Sequence, residues 1–109
     1  MELSRRMRSS VCFDRSELRQ ILLIYGRMVA AGEWRDYALD ALNDHAIFSI
    51  FRRASEAPLY QIVKRPENAR RQGVYTVQAQ GGLILKRGHD LAQVLRVFDK
   101  KLIKALAAE

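Results

Sequence analysis

The residues in this sequence best suited to chemistry are four dibasic pairs, Arg52-Arg53, Lys64-Arg65, Arg70-Arg71 and Lys86-Arg87. Between positions 52 and 87 only Glu56 and Glu67 oppose them, so this third of the chain holds six of its seven net positive charges. Arginine outnumbers lysine fourteen to five, and a guanidinium presents a planar fork of donors that matches phosphate in a bidentate way. The chemistry implied is recognition of a polyanion: nucleic acid, an anionic membrane surface or an acidic protein. The competing explanation for each pair is a solvated strand end that serves solubility and edge protection.

Side chains for bond-making are sparse. His45, His89 and Cys12 are the only histidines and cysteine. The histidines are far apart in sequence with no cysteine or glutamate at ligand spacing, a poor pattern for a metal. His89-Asp90 could orient a general base, but adjacent polar residues at a helix start more often cap the backbone. Phosphate-binding glycine loops and the Gly-x-Ser-x-Gly nucleophile motif are missing from the sequence. The expectation is a binding module rather than an enzyme, with no catalytic residue, cofactor or metal.

The elements that must position the basic pairs follow from periodicity. Asp14 with Glu17 forms a capping-box pattern and Phe13 with Leu18 a hydrophobic staple. Leu18, Ile21, Leu22, Tyr25, Met28 and Val29 then recur at helical spacing up to Gly32, which predicts a helix over residues 15–31. Gly26 interrupts that helix on or near its packed face, at a cost of about 1 kcal/mol relative to alanine unless another backbone approaches there. Residues 37–42 are ambiguous between helix and strand. Residues 45–53, 59–65, 73–79 and 83–87 read as strands, the last two joined by a tight Gly81-Gly82 turn. Leu91, Val94, Leu95, Phe98, Leu102 and Leu106 form the apolar stripe of a second helix, with Arg96, Lys100 and Lys104 at i, i+4 on another face. The predicted fold is α+β: an N-terminal helix, an antiparallel meander of three to five strands and a C-terminal helix, with both helices on one face of the sheet.

At 109 residues the chain suits one domain. Residues 1–12, with Arg5, Arg6 and Arg8, read as a flexible basic arm, and 13–109 as a single α+β domain. The apolar fraction of 49% argues against wholesale disorder. No apolar run approaches the ~20 residues of a membrane span, and a single cysteine fits a reducing, cytoplasmic compartment.

In a meander, strand direction sorts the charges. A strand that ends at Arg53 runs one way, and the next, ending at Arg65, runs the other. The Arg70-Arg71 loop lies at that second end, and the strand finishing at Lys86-Arg87 returns to it. Lys64, Arg65, Arg70, Arg71, Lys86 and Arg87 should therefore share one end of the sheet. Gly88 and His89 at the start of the second helix would add backbone N–H groups to an anion-binding corner, with Gly73 giving close backbone access. Tyr60 and Tyr75 could present rings beside it as in single-strand binders, or could be core. Trp34 reads as an anchor of the helix–sheet junction.

Two blocks carry a family resemblance. They are residues 13–37, with Tyr25-Gly26-Arg27-Met28-Val29-Ala30-Ala31-Gly32-Glu33-Trp34-Arg35-Asp36-Tyr37, and residues 83–102, with Leu85-Lys86-Arg87-Gly88-His89-Asp90-Leu91 and Val97-Phe98-Asp99-Lys100-Lys101-Leu102. With Phe51-Arg52-Arg53-Ala54-Ser55 and Pro58-Leu59-Tyr60 between them, they resemble a family of small alphaproteobacterial proteins catalogued as a domain of unknown function. The resemblance implies a free-standing bacterial cytoplasmic protein and carries no reaction or ligand. The leading expectation is thus a DNA- or RNA-binding module. The alternative is a protein-interaction or homo-oligomeric adaptor, using the second helix around Leu102, Ile103 and Leu106 or the first helix around Gly26. A third, weaker reading is a small-anion or nucleotide-handling enzyme at the His89 corner.

Overall fold

A computed structural model describes residues 10–53 and 57–107 and, past Lys101, only the Lys104 side chain. Most of the basic arm therefore lies outside the described residues, as do the side chains of Leu102, Ile103 and Leu106. The chain forms helix α1 (Arg15–Ala30), five strands and two closing helices. The strands are β1 (Asp36–Ala41), β2 (Ala46–Phe51), β3 (Tyr60–Lys64), β4 (Tyr75–Ala79) and β5 (Ile84–Gly88). They make one antiparallel sheet in the order β1-β2-β3-β4-β5, the α+β meander expected. The ambiguous segment is resolved as strand β1, because Tyr37 and Leu39 pair with Ile50 and Phe48 of the strongly β-forming neighbour.

Register divides the sheet into two faces. Ala46, Phe48, Ile50, Ile62 and Val77 join Ile21, Ile24, Met28, Trp34, Leu91, Val94, Leu95 and Phe98 in one core, so the helices cover this face. The alternate positions carry a polar ladder instead. Gln78 Nε2 donates to Gln61 Oε1 at 3.0 Å, and Gln61 Nε2 donates to Ser49 Oγ at 3.1 Å. Trp34 is fully buried and meets Phe98 edge-on at 5.0 Å, the junction anchor its position suggests.

Helix α1 begins as its sequence dictates. Glu17 N donates to Asp14 Oδ1 at 2.8 Å and Asp14 N donates to Glu17 Oε1 at 2.7 Å, a complete capping box. It ends at Ala31, and Gly32 follows at φ +79°, the left-handed stop that favours glycine. The second helix is not continuous. It divides into α2 (Leu91–Leu95) and α3 (Val97–Ala107), with Arg96 between them. There Arg96 N and Asp99 N bond three residues back, to Gln93 O and Arg96 O, which tightens the turn.

Candidate polyanion-binding surface

Strand polarity places the predicted pairs largely as argued. Lys64, Tyr75 and Gly88 lie in one cross-strand row, and Val63, Thr76 and Arg87 in the next. The ends of β3 and β5 and the 66–73 loop thus share one end of the sheet. Arg52 and Arg53 lie at the other, beyond Phe51.

Position alone does not make the cations available. Lys64 sits on the helix face, its side chain 17% exposed, and its ammonium donates to Glu17 Oε1 at 2.7 Å and to the Cys12 carbonyl at 3.0 Å. Tyr75 OH donates to the other oxygen of the same carboxylate. Burial, and then this carboxylate, push the Tyr75 phenol well above its ordinary pKa. Lys64 and Tyr75 thus tie α1 to β3 and β4. Cys12 and Val11, placed with the arm on sequence grounds, touch the sheet: Val11 N bonds Leu42 O at 2.8 Å. Arg65 is partly neutralised, 2.9 Å from Asp44 and 3.7 Å from Glu67. Asp44 also accepts from His45, and that bond, with the neighbouring positive charge, holds its carboxyl below the usual range.

The corner at the second helix needs correction. Asp90 is the N-cap and its carboxylate accepts from Ala92 N at 3.0 Å, so a carboxylate of the chain already occupies the helix start. Helix α2 is also only five residues long. Gly73 allows close approach of the Gly88 backbone: a Cβ on Gly73, at φ +102°, would lie 2.3 Å from the Gly88 carbonyl carbon. His89 is exposed beside this contact.

Four predicted cations remain accessible. Arg70 and Arg71 are exposed on the 66–73 loop and form no ion pair among the described residues. Arg87 Nη1 donates to Gln72 Oε1 at 2.5 Å, which ties that loop to β5. Lys86 turns to the helix side. Val77 pairs with Lys86 and Gln78 with Ile84, so Leu85 is an extra residue, a bulge that re-aims its neighbours. Lys86 then lines a shallow cleft of ≈ 330 Å³ with Gln93, Arg96, Val97 and Lys100. Arg96 and Lys100 were visible in the sequence as a helical basic stripe, but their meeting with Lys86 depends on how the closing helices pack against β5. The arrangement is a strip of cations along the free edge of the sheet: Arg70, Arg71 and Arg87 at its end, and Lys86, Arg96 and Lys100 on its helix side.

Among the described residues no three His, Cys, Asp or Glu side chains converge as a metal site, and no helix is long and apolar enough to cross a membrane. Fold and surface together define a small α+β protein, helix-covered on one face, with a basic edge strand. The chain belongs to DUF2794, a family of proteins of unknown function, whose family model matches residues 11–95. The match takes in α1, the whole sheet and α2; Arg96 and Lys100 lie just past it. No curated protein and no solved structure matches the chain.

Proposed function

We propose that the protein is a cytoplasmic, non-enzymatic module that binds nucleic acid through the β5 edge. The observation that carries this reading is the grouping of Lys86, Arg96 and Lys100 in one cleft with no carboxylate among its lining residues. Arg70, Arg71 and Arg87 extend it along the same edge. Such a surface tracks a phosphate backbone electrostatically and reads little sequence. The test is binding of labelled DNA and RNA, single- and double-stranded, at rising salt. Four to six phosphate contacts predict a plot of log K against log salt with a slope of roughly −3 to −5. No binding at low salt to any of the four polymers removes the reading.

A second reading, a protein-interaction or self-associating adaptor, is favoured by one feature. Leu22 and Val29 of α1, Tyr37 and Leu39 of β1 and Leu42 just after it are each at least 40% exposed, a large apolar area. Sedimentation across a concentration series separates the two: a dimer without affinity for nucleic acid supports the adaptor.

A further inference from the structure

The two edges of the sheet are built differently. β5 carries a bulge at Leu85 and the cations Lys86 and Arg87, devices that keep an edge strand from pairing with another chain. β1, at the opposite edge, pairs with β2 in unbroken register and holds no proline, glycine or cation. All six of its residues are exposed, and no strand among the described residues pairs with its outer side. The Leu42 N–His45 O bond that closes the turn into β2 sets the alternation of the ladder. Asp36, Ala38 and Asp40 therefore bond to β2, and the N–H and C=O groups of Tyr37, Leu39 and Ala41 face away from it.

The side chains of β1 divide between two faces. Tyr37 and Leu39 lie opposite Ile50 and Phe48, on the helix side of the sheet, yet they are 48% and 47% exposed. Tyr37 stacks on Phe48 at 4.8 Å and meets Tyr25 of α1 edge-on at 5.1 Å. Leu22 and Val29, exposed one turn to either side of Tyr25, share its face of the helix. The apolar core thus continues out to this edge and is only half covered there. Asp36 and Asp40 lie on the other face of the sheet, opposite Phe51 and Ile47.

We propose that β1 pairs antiparallel with the β1 of a second copy about a two-fold axis at Leu39, joining two five-stranded sheets into one of ten strands. The proposal rests on the self-association reading above, names its interface, and is independent of the β5 surface. The strand's own sequence selects the register. Bonded pairs need outward-facing residues on both sides. An axis at Leu39 sets Leu39 against Leu39 and Tyr37 against Ala41, with Asp36 opposite Leu42 and Asp40 opposite Ala38. An axis one residue to either side would set Asp36 against Asp40, or Asp40 against itself, and like charges directly opposite oppose pairing. Each copy adds Leu22, Val29, Tyr37 and Leu39 to an apolar seam on the helix side, the same patch used twice. The cationic β5 strands are left at the two far ends of the joined sheet. Copies with a net charge of +7 therefore meet along a strand that carries no cation.

Sedimentation of the full chain to about 1 mM, the weak end of specific affinity, measures self-association. The proposal predicts a dimer that Leu39→Lys weakens at least about tenfold, because two ammonium groups then meet at the axis. Leu23→Lys, the same charge change at a more exposed leucine of α1, should leave the dimer within about twofold of the unaltered protein. Circular dichroism checks the fold of both variants. Register is read independently by oxidative cross-linking in a Cys12→Ser background, which removes the exposed native thiol. Leu39→Cys should form a covalent dimer, because bonded antiparallel partners have Cα atoms about 5.5 Å apart. Ala41→Cys should not, because its two copies lie about 13 Å apart in this register. A dimer weakened equally by the two lysine variants, or linked as readily through Ala41→Cys as through Leu39→Cys, overturns the β1 pairing and leaves self-association standing. A monomer at every concentration overturns both.

Discussion

At Glu17 a carboxylate only 6% exposed accepts from three donors: Asp14 N, Lys64 Nζ and Tyr75 OH. A buried anion is tolerated when it is paired and its lone pairs are satisfied, and removing it leaves its partners buried without compensation. Glu17→Ala should cost about 3–5 kcal/mol in urea denaturation, and Glu17→Gln less, because the amide oxygen still accepts. Tyr75 adds a pH dependence. Its folded pKa is raised above the ordinary value near 10, so in alkali the unfolded chain loses this proton first. The stabilisation is present below about pH 10 and is lost as pH rises above it. Alkaline denaturation followed by circular dichroism should show this decline, and Tyr75→Phe should flatten it. The capping role of Glu17 was legible from the Asp14-x-x-Glu17 spacing. Its burial also had a signal, because Glu17 leads the stripe Ile21, Ile24 and Met28 at i+4, i+7 and i+11. The identity of its partners had none, because Lys64 and Tyr75 are brought to it by the sheet.

At the scale of elements, two glycines should respond in opposite directions. Gly26 lies not on the packed face but exposed in mid-helix, and a Cβ there would meet nothing within 4 Å; Gly26→Ala should therefore stabilise by about 1 kcal/mol in thermal or urea unfolding. Gly73→Ala should severely destabilise, because it imposes a Cβ at positive φ against the Gly88 backbone. On the sheet face opposite the helices, Gln61 holds both Ser49 and Gln78, so Gln61→Ala should cost about 1–2 kcal/mol. The helices and four of the five strands were legible from periodicity and turn residues. Strand β1 was not, since Ala38, Asp40 and Ala41 dilute the β signal that its pairing with β2 overrides. The bulge at Leu85 and the break at Arg96 leave no mark in hydrophobic spacing, because Leu85 stays apolar and the Val94, Leu95, Phe98 stripe runs through the break unaltered.

For the whole molecule, the net charge of +7 said only that a polyanion is a plausible partner. Strand direction correctly separated the Arg52-Arg53 end from the rest. It could not separate cations that hold the fold together from cations that face solvent, because that depends on which carboxylates the fold brings near. Lys64 is bound to Glu17 and Arg65 to Asp44; Lys86 gains Arg96 and Lys100. The central claim is therefore about a place, not about total charge. Its most direct test compares the salt dependence of RNA and DNA binding in two variants of equal charge change, Lys86→Glu/Arg96→Glu on the β5 cleft and Arg15→Glu/Arg19→Glu on α1. The β5 variant should lose about two phosphate contacts, lowering the magnitude of the log–log slope by roughly 1.4–1.8 and weakening binding at every salt concentration, while the α1 variant keeps a slope close to that of the unaltered protein. Equal losses in the two variants would mean that affinity follows net charge alone, and would contradict the assignment of the surface.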